Sequence, residues 1–202
     1  MKSLSRLAAG LLLALSVAVP AVAQDLTPEE LVRKITADVL ETVKRDSSLQ
    51  KGDRARALAL AEEKILPKVD FREAARLAVG RPWNSASAAQ RDRLVAEFRT
   101  MLVRLYTNSI DAYRGQTMRV QPVRMAPDAT EVTVRNLFLS PGTEPVPVDY
   151  AMRKGPSGWM IYDVTVGGVS LVLTYRSQFE GIVRNGGVDA LIKVLADKNR
   201  SA

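Results

Sequence analysis

The hydrophobic repeat of this chain changes period at Gly115 and changes back at Gly167-Gly168. Before Gly115, apolar residues recur every three to four positions. Between the two points they alternate, and afterwards the helical spacing returns. Helices, then strands, then helices is the order of an α+β fold, with helices packed on one face of a curved antiparallel sheet of about four strands. No internal repeat, linker or low-complexity tract interrupts it.

Local signals place the elements. Thr27-Pro28-Glu29-Glu30 is a helix start, and Leu31, Ile35, Val39 and Val43 mark one face of a helix to Arg45. Ser47 to Gly52 reads as a loop. A second helix with Leu58, Ala61 and Ile65 inward stops at Pro67, and a third runs from its cap at Asp70 to Gly80. Residues 81–86 form a connector carrying Trp83. Ser87 and Gln90 make a second capping box for the longest helix, whose stripe of Leu94, Phe98, Met101, Leu102, Leu105, Tyr106 and Ile110 reaches about Tyr113.

Strands are expected over Met118–Val123, Thr130–Leu139, Val146–Lys154 and Gly158–Val166, joined by short turns into a meander. In the last strand, alternation sends Trp159, Ile161 and Asp163 to one face and Met160, Tyr162, Val164 and Val166 to the other. Two glycines then allow a sharp turn. Ser170 caps a helix bearing Leu171, Tyr175, Phe179 and Ile182, which ends near Gly186-Gly187; Asp189 caps a final helix with Leu191, Ile192, Val194 and Leu195.

The N-terminal segment stands apart from this pattern. Lys2 and Arg6 precede an apolar run, Leu7 to Val19, and Ala21-Val22-Ala23 is a small-x-small cleavage site. Residues 1–23 read as a secretory signal peptide, leaving 24–202 as a single exported domain. Cleavage removes two basic residues and no acids, so the formal charge falls from +7 to +5. No later run is long and apolar enough to span a bilayer.

Composition narrows the chemistry. The chain has no cysteine and no histidine. Thiol chemistry, imidazole bases and the usual metal ligands are therefore missing, and no metal or catalytic cofactor is expected. Nucleic acid is not expected as a partner of an exported chain without interleaved aromatic and basic residues. One enzyme reading survives: an isomerase-like small-molecule enzyme using Tyr150 or Tyr162 with Asp149 or Asp163. Adjacent strand residues point to opposite faces, so a shared Tyr/Asp site needs a bulge. A third reading is a structural adaptor with a filled core. The large apolar inventory remains: Phe71, Leu77, Trp83, Leu102, Tyr106, Tyr150, Met160, Tyr162, Val169, Leu171, Val172, Tyr175 and Phe179. Such residues pack a core, or line an apolar cavity under a concave sheet.

Several segments resemble the MlaC family, also called the toluene-tolerance auxiliary family, of periplasmic phospholipid-binding proteins. They are Ile65-Leu66-Pro67 with Asp70-Phe71; Leu77 to Arg81 with Trp83; Gln90-Arg91 and Phe98-Arg99; Tyr106 and Tyr113; Gly158-Trp159 through Tyr162-Asp163; Gly168 to Leu171; Tyr175 to Phe179; and Gly187 with Leu191. The resemblance implies a cone-shaped fold of the nuclear transport factor 2 type and a monomeric, non-enzymatic carrier in the periplasm. Its cargo would be phospholipid and it would need no cofactor. Its partners would be an outer-membrane lipoprotein–porin complex and an inner-membrane ABC transporter complex with an MCE-type substrate-binding protein. Its role would be to maintain outer-membrane lipid asymmetry. On this reading the apolar inventory, joined by Val134, Val148 and Val164, lines the tail pocket: Met160, Tyr162 and Val164 as floor, Val169 to Val172 as hinge, and Tyr175 and Phe179 as one wall. Asp163 becomes a structural group.

Overall fold

The computed structural model describes residues 26–107 and 115–201, and the side chains of Tyr106 and Thr107 are outside that description. The expected leader with its cleavage site, Ile110 and Tyr113 lie outside the described residues.

Helix α1 (Pro28–Arg45) starts as its sequence dictates. The Thr27 hydroxyl accepts from the Glu30 amide, and the Glu30 carboxylate accepts from the Thr27 amide at 2.9 Å. Where a loop was expected, Ser47–Gln50 forms a one-turn helix, α2, because Asp46 accepts from the Ser48 and Leu49 amides. Helix α3 (Arg54–Lys64) buries Ala57, Leu60 and Ala61 but leaves Leu58 exposed, against its expected inward position. Asp70 caps α4 (Phe71–Val79); α5 (Pro82–Ser85) carries Trp83; and α6 covers Ala88–Thr107.

The sheet has six strands, β1 (Thr117–Val120), β2 (Glu131–Val134), β3 (Asn136–Leu139), β4 (Val146–Gly155), β5 (Gly158–Val166) and β6 (Val169–Ser170). All strand pairs are antiparallel, in the order β1-β3-β4-β5-β6 with β2 also on β4. The α+β class holds, but the single strand expected over Thr130–Leu139 is two. Asn136 supplies the reason. Its amide group donates to the Val134 carbonyl at 2.9 Å, so a side chain competes with the ladder where the strand breaks. β2 follows the Tyr150 end of β4, whereas β3 pairs with Val146 and Pro147 and with β1. The other added strand, β6, returns after Gly167-Gly168; both glycines have positive φ, as a two-residue hairpin turn of type I′ requires.

A bulge resets the alternation of β5. Ala151 and Met152 of β4 oppose Asp163 and Ile161, leaving Tyr162 unmatched. The expected division of faces is therefore corrected. Val164 joins Trp159 and Ile161, with Val134, Met152 and Tyr150, in a core closed by Leu31 and Val32 of α1. Met160 and Tyr162 belong to no part of that core and are half-buried.

Helix α7 (Leu171–Ser201) turns at Gly187, where φ is 72°. The expected break at Gly186-Gly187 is thus a kink between two helical halves. A Cβ on Gly186 would come within 2.6 Å of the Ala190 Cβ, so the close approach requires glycine there. Both halves pack with α4, α5 and α6 around a second core, centred on Phe98 with Tyr175 and Phe179 edge-on at 5.2 and 5.6 Å. Such pairs contribute about 0.5–1.5 kcal/mol beyond area burial.

Candidate functional site

An ionic junction links the helical core to the sheet core. Glu73 of α4 is buried and accepts from Arg76 at 2.6 and 2.7 Å and from Arg153 of β4 at 2.8 Å. The Arg76 hydrogen bonds lead the Arg153 charge in holding its carboxyl below the usual carboxylate range. Arg153 also lies 3.9 Å from Asp70, so the helical layer is tied to the sheet through charge as well as packing.

A second junction closes the glycine hinge. Asp163 Oδ1 accepts from the Val164 amide at 2.8 Å and the Val172 amide at 3.0 Å, and Oδ2 accepts from the Ser170 hydroxyl at 2.5 Å. The Ser170 oxygen in turn accepts from the Leu173 amide at 3.0 Å. Strand β5, the turn and the start of α7 are thereby held by one carboxylate. The bulge that a Tyr/Asp site needs is present, but the Asp163 carboxylate already has three donors. The hydroxyl of Tyr162 is pushed up by partial burial first, then by the charges of Glu131, Glu73 and Asp163. Burial pushes Tyr150 to about 12. Its hydroxyl meets the Met118 sulfur at 3.9 Å, a weak partner. Both shifts hold the phenols protonated at neutral pH, so neither is a ready proton acceptor there.

The sequence-derived pocket residues fall into groups. Trp83, Leu102, Val172, Tyr175 and Phe179 are buried in the helical core, with Phe71, Leu77 and Leu171 packed against it. Val134, Tyr150 and Val164 belong to the sheet core. Val148, Met160 and Tyr162 are half-buried and in neither. Val169 is 63% exposed at the hairpin tip, beside exposed Val166 and Leu173. The side chain of Tyr106 is outside the described residues.

A cleft of about 890 Å³ opens between α3, α6 and α7. Only Tyr175 of the sequence-derived pocket residues is among its described lining. The sequence reading missed the rest. Leu58 and Leu105, assigned inward on their helices, are exposed and line this cleft. Met101 and Val103 complete its apolar floor, and Arg54, Arg99, Arg104 and Lys198 stand around it with Glu62. Among the described residues no group of acidic side chains is arranged to hold a metal ion, and no helix is long and apolar enough to cross a membrane.

Similarity to known proteins agrees with this architecture. The family model of the MlaC protein matches residues 33–197. The chain is 25% identical over 171 residues to the intermembrane phospholipid transport system binding protein MlaC of Haemophilus influenzae, covering 83% of this chain and 80% of the relative. It is 24% identical over 165 residues to the toluene tolerance protein ttg2D of Pseudomonas putida, covering 81% and 76%. A phospholipid-binding protein of Ralstonia solanacearum, solved in complex with a phospholipid, superposes with a TM-score of 0.80 at 34% identity, over 87% of this chain and 98% of its own. With the six-stranded sheet, the hinge and most of the helical layer inside the matched region, the chain belongs to the MlaC family.

Proposed function

We propose that this protein is a periplasmic phospholipid carrier. The observation that carries the reading is its likeness, at 34% identity and over nearly the whole of that chain, to a protein solved with a phospholipid bound. On this reading residues 24–202 form one lipid-binding domain that works as a monomer after cleavage near Ala23. It moves lipid between an outer-membrane lipoprotein–porin complex and an inner-membrane ABC transporter complex with its MCE-type protein, and so maintains outer-membrane lipid asymmetry. No catalytic residue is required.

The acyl tails lie in an apolar pocket between the sheet and the helices, lined by the residues named above from Phe71 to Phe179. The proposed lining draws on both the helical core and the sheet core, which supports a pocket between the two layers. Exposing acyl chain to water costs about 0.8 kcal/mol per methylene, so two chains cost on the order of tens of kcal/mol. A pocket as apolar as the bilayer cancels most of that. Loading and release are then nearly balanced, and a partner's differential affinity sets direction.

Native mass spectrometry with lipid extraction of the purified protein tests the reading. Co-purified two-tailed phospholipid is expected. A reproducibly empty protein that takes up no lipid from vesicles refutes it. An isomerase on this fold would instead lose turnover in Tyr162→Phe with lipid content unchanged.

A further inference from the structure

We infer that the cleft between α3, α6 and α7 selects lipids with a net negative head group. This rests on the carrier reading above and adds a head-group contribution to it. The described lining carries four cations, Arg54, Arg99, Arg104 and Lys198, against one carboxylate, Glu62. Arg99 is 3.9 Å from Glu62 and its guanidinium lies over the Phe71 ring, and Arg104 donates to the Asn199 carbonyl. Arg54 and Lys198 have no carboxylate partner among the described residues and are exposed.

Leu58, Met101, Val103, Leu105 and Tyr175 give the same cleft an apolar lining, beside Thr100, Gln178, Asn199 and Ser201. Its floor reaches Tyr175, which is buried edge-on against Phe98 in the helical core. Four cations in a cleft that shares Tyr175 with the tail pocket proposed above complement an amphiphile whose anionic head lies in the cleft and whose tails enter that pocket. The volume sits at the upper end of the range of about 300–1,000 Å³ for small-molecule sites. A zwitterionic head group also brings a phosphate, but its ammonium meets the same excess of positive charge. The geometry therefore favours phosphatidylglycerol-like lipids over phosphatidylethanolamine-like ones.

The test incubates the mature protein with vesicles of equimolar dioleoyl-phosphatidylglycerol and dioleoyl-phosphatidylethanolamine, re-isolates it, and measures both lipids bound. Wild type should show a bound ratio of roughly three to ten in favour of the anionic lipid, the size that two exposed ion pairs supply together. Arg54→Gln with Lys198→Gln should move the ratio toward one, and Arg54→Lys with Lys198→Arg should restore it. Both positions are exposed, so melting should be unchanged in either pair of variants. High salt should flatten the wild-type preference. A ratio of one in wild type overturns the inference and points the cations toward an acidic protein surface. So does a preference that survives the double Gln variant. Inorganic phosphate alone, titrated into the protein, distinguishes a free-anion site: saturable binding lost in the Gln variant with an unchanged lipid ratio also overturns it. Lipid bound without preference refutes only this inference, whereas no lipid on any form refutes the carrier reading too.

Discussion

Glu73→Gln isolates the charge that joins the helical layer to the sheet. The substitution keeps the shape of the side chain and removes the carboxylate shared by Arg76 and Arg153. Breaking a fully buried pair costs about 3–5 kcal/mol. Here Glu73 is buried but the two arginine side chains are 46% and 39% exposed, so water recovers part of their solvation. The expected loss is about 2 kcal/mol, or roughly 4–8 °C of melting temperature for a domain of this size. The pH dependence gives the sharper test. The Arg76 hydrogen bonds, then the charges of Arg76 and Arg153, lower the folded pKa of Glu73 from its ordinary value of 4.5. A depressed folded pKa contributes stability that is present in full above the unfolded value and is lost as pH falls through the folded one. Thermal melts of wild type and variant should therefore stay separated from neutral pH down to the ordinary value of 4.5 and converge as pH falls through the lowered folded value. A gap that persists undiminished in acid would show that the loss comes from packing and not from charge. A gap below about 0.5 kcal/mol at neutral pH would show that the junction contributes no more than an ordinary surface pair.

Three further outcomes are expected. Asp163→Ala removes the acceptor of three hydrogen bonds, two of them across the hinge, and should cost about 2–4 kcal/mol in urea unfolding, while Ser170→Ala, which removes a helix cap, should cost about 1 kcal/mol; equal effects would refute the hub role of Asp163. Phe98→Ala, at a position 1% exposed between Tyr175 and Phe179, should cost about 3–5 kcal/mol, and a loss under 2 kcal/mol would mean that the helical core collapses around the gap. Val169→Glu, at an exposed hairpin position, should change stability by no more than about 0.5 kcal/mol yet reduce bound lipid; lipid content equal to wild type would remove Val169 from the pocket.

Much of this fold is legible in the sequence because short-range signals set it. The Thr27 and Ser87 capping boxes, the Asp70 cap, the Gly167-Gly168 turn and the Gly186-Gly187 break each depend on residues a few positions apart. The same holds for Ser170, whose cap to Leu173 is local. The strand faces are less accessible. Alternation is a period of two, and one extra residue exchanges the faces. The bulge at Tyr162 does this to β5, and it is set by pairing with a β4 strand some ten residues away. Asn136 breaks a strand for a related reason, since the outcome depends on which partners each half finds.

The candidate sites divide along the same line. By itself the sequence determined the α+β order, the capping boxes and glycine turns and the absence of histidine and cysteine, because these depend on composition or on contacts within one turn of chain. Tertiary structure alone decided that Leu58 and Leu105, apolar residues on helical stripes, face a cleft instead of a core. It also brought Arg54, Arg99, Arg104 and Lys198, from three separate helices, around that cleft. Hydrophobicity determines that a side chain prefers burial; whether a partner is there to bury it depends on how helices distant in sequence pack.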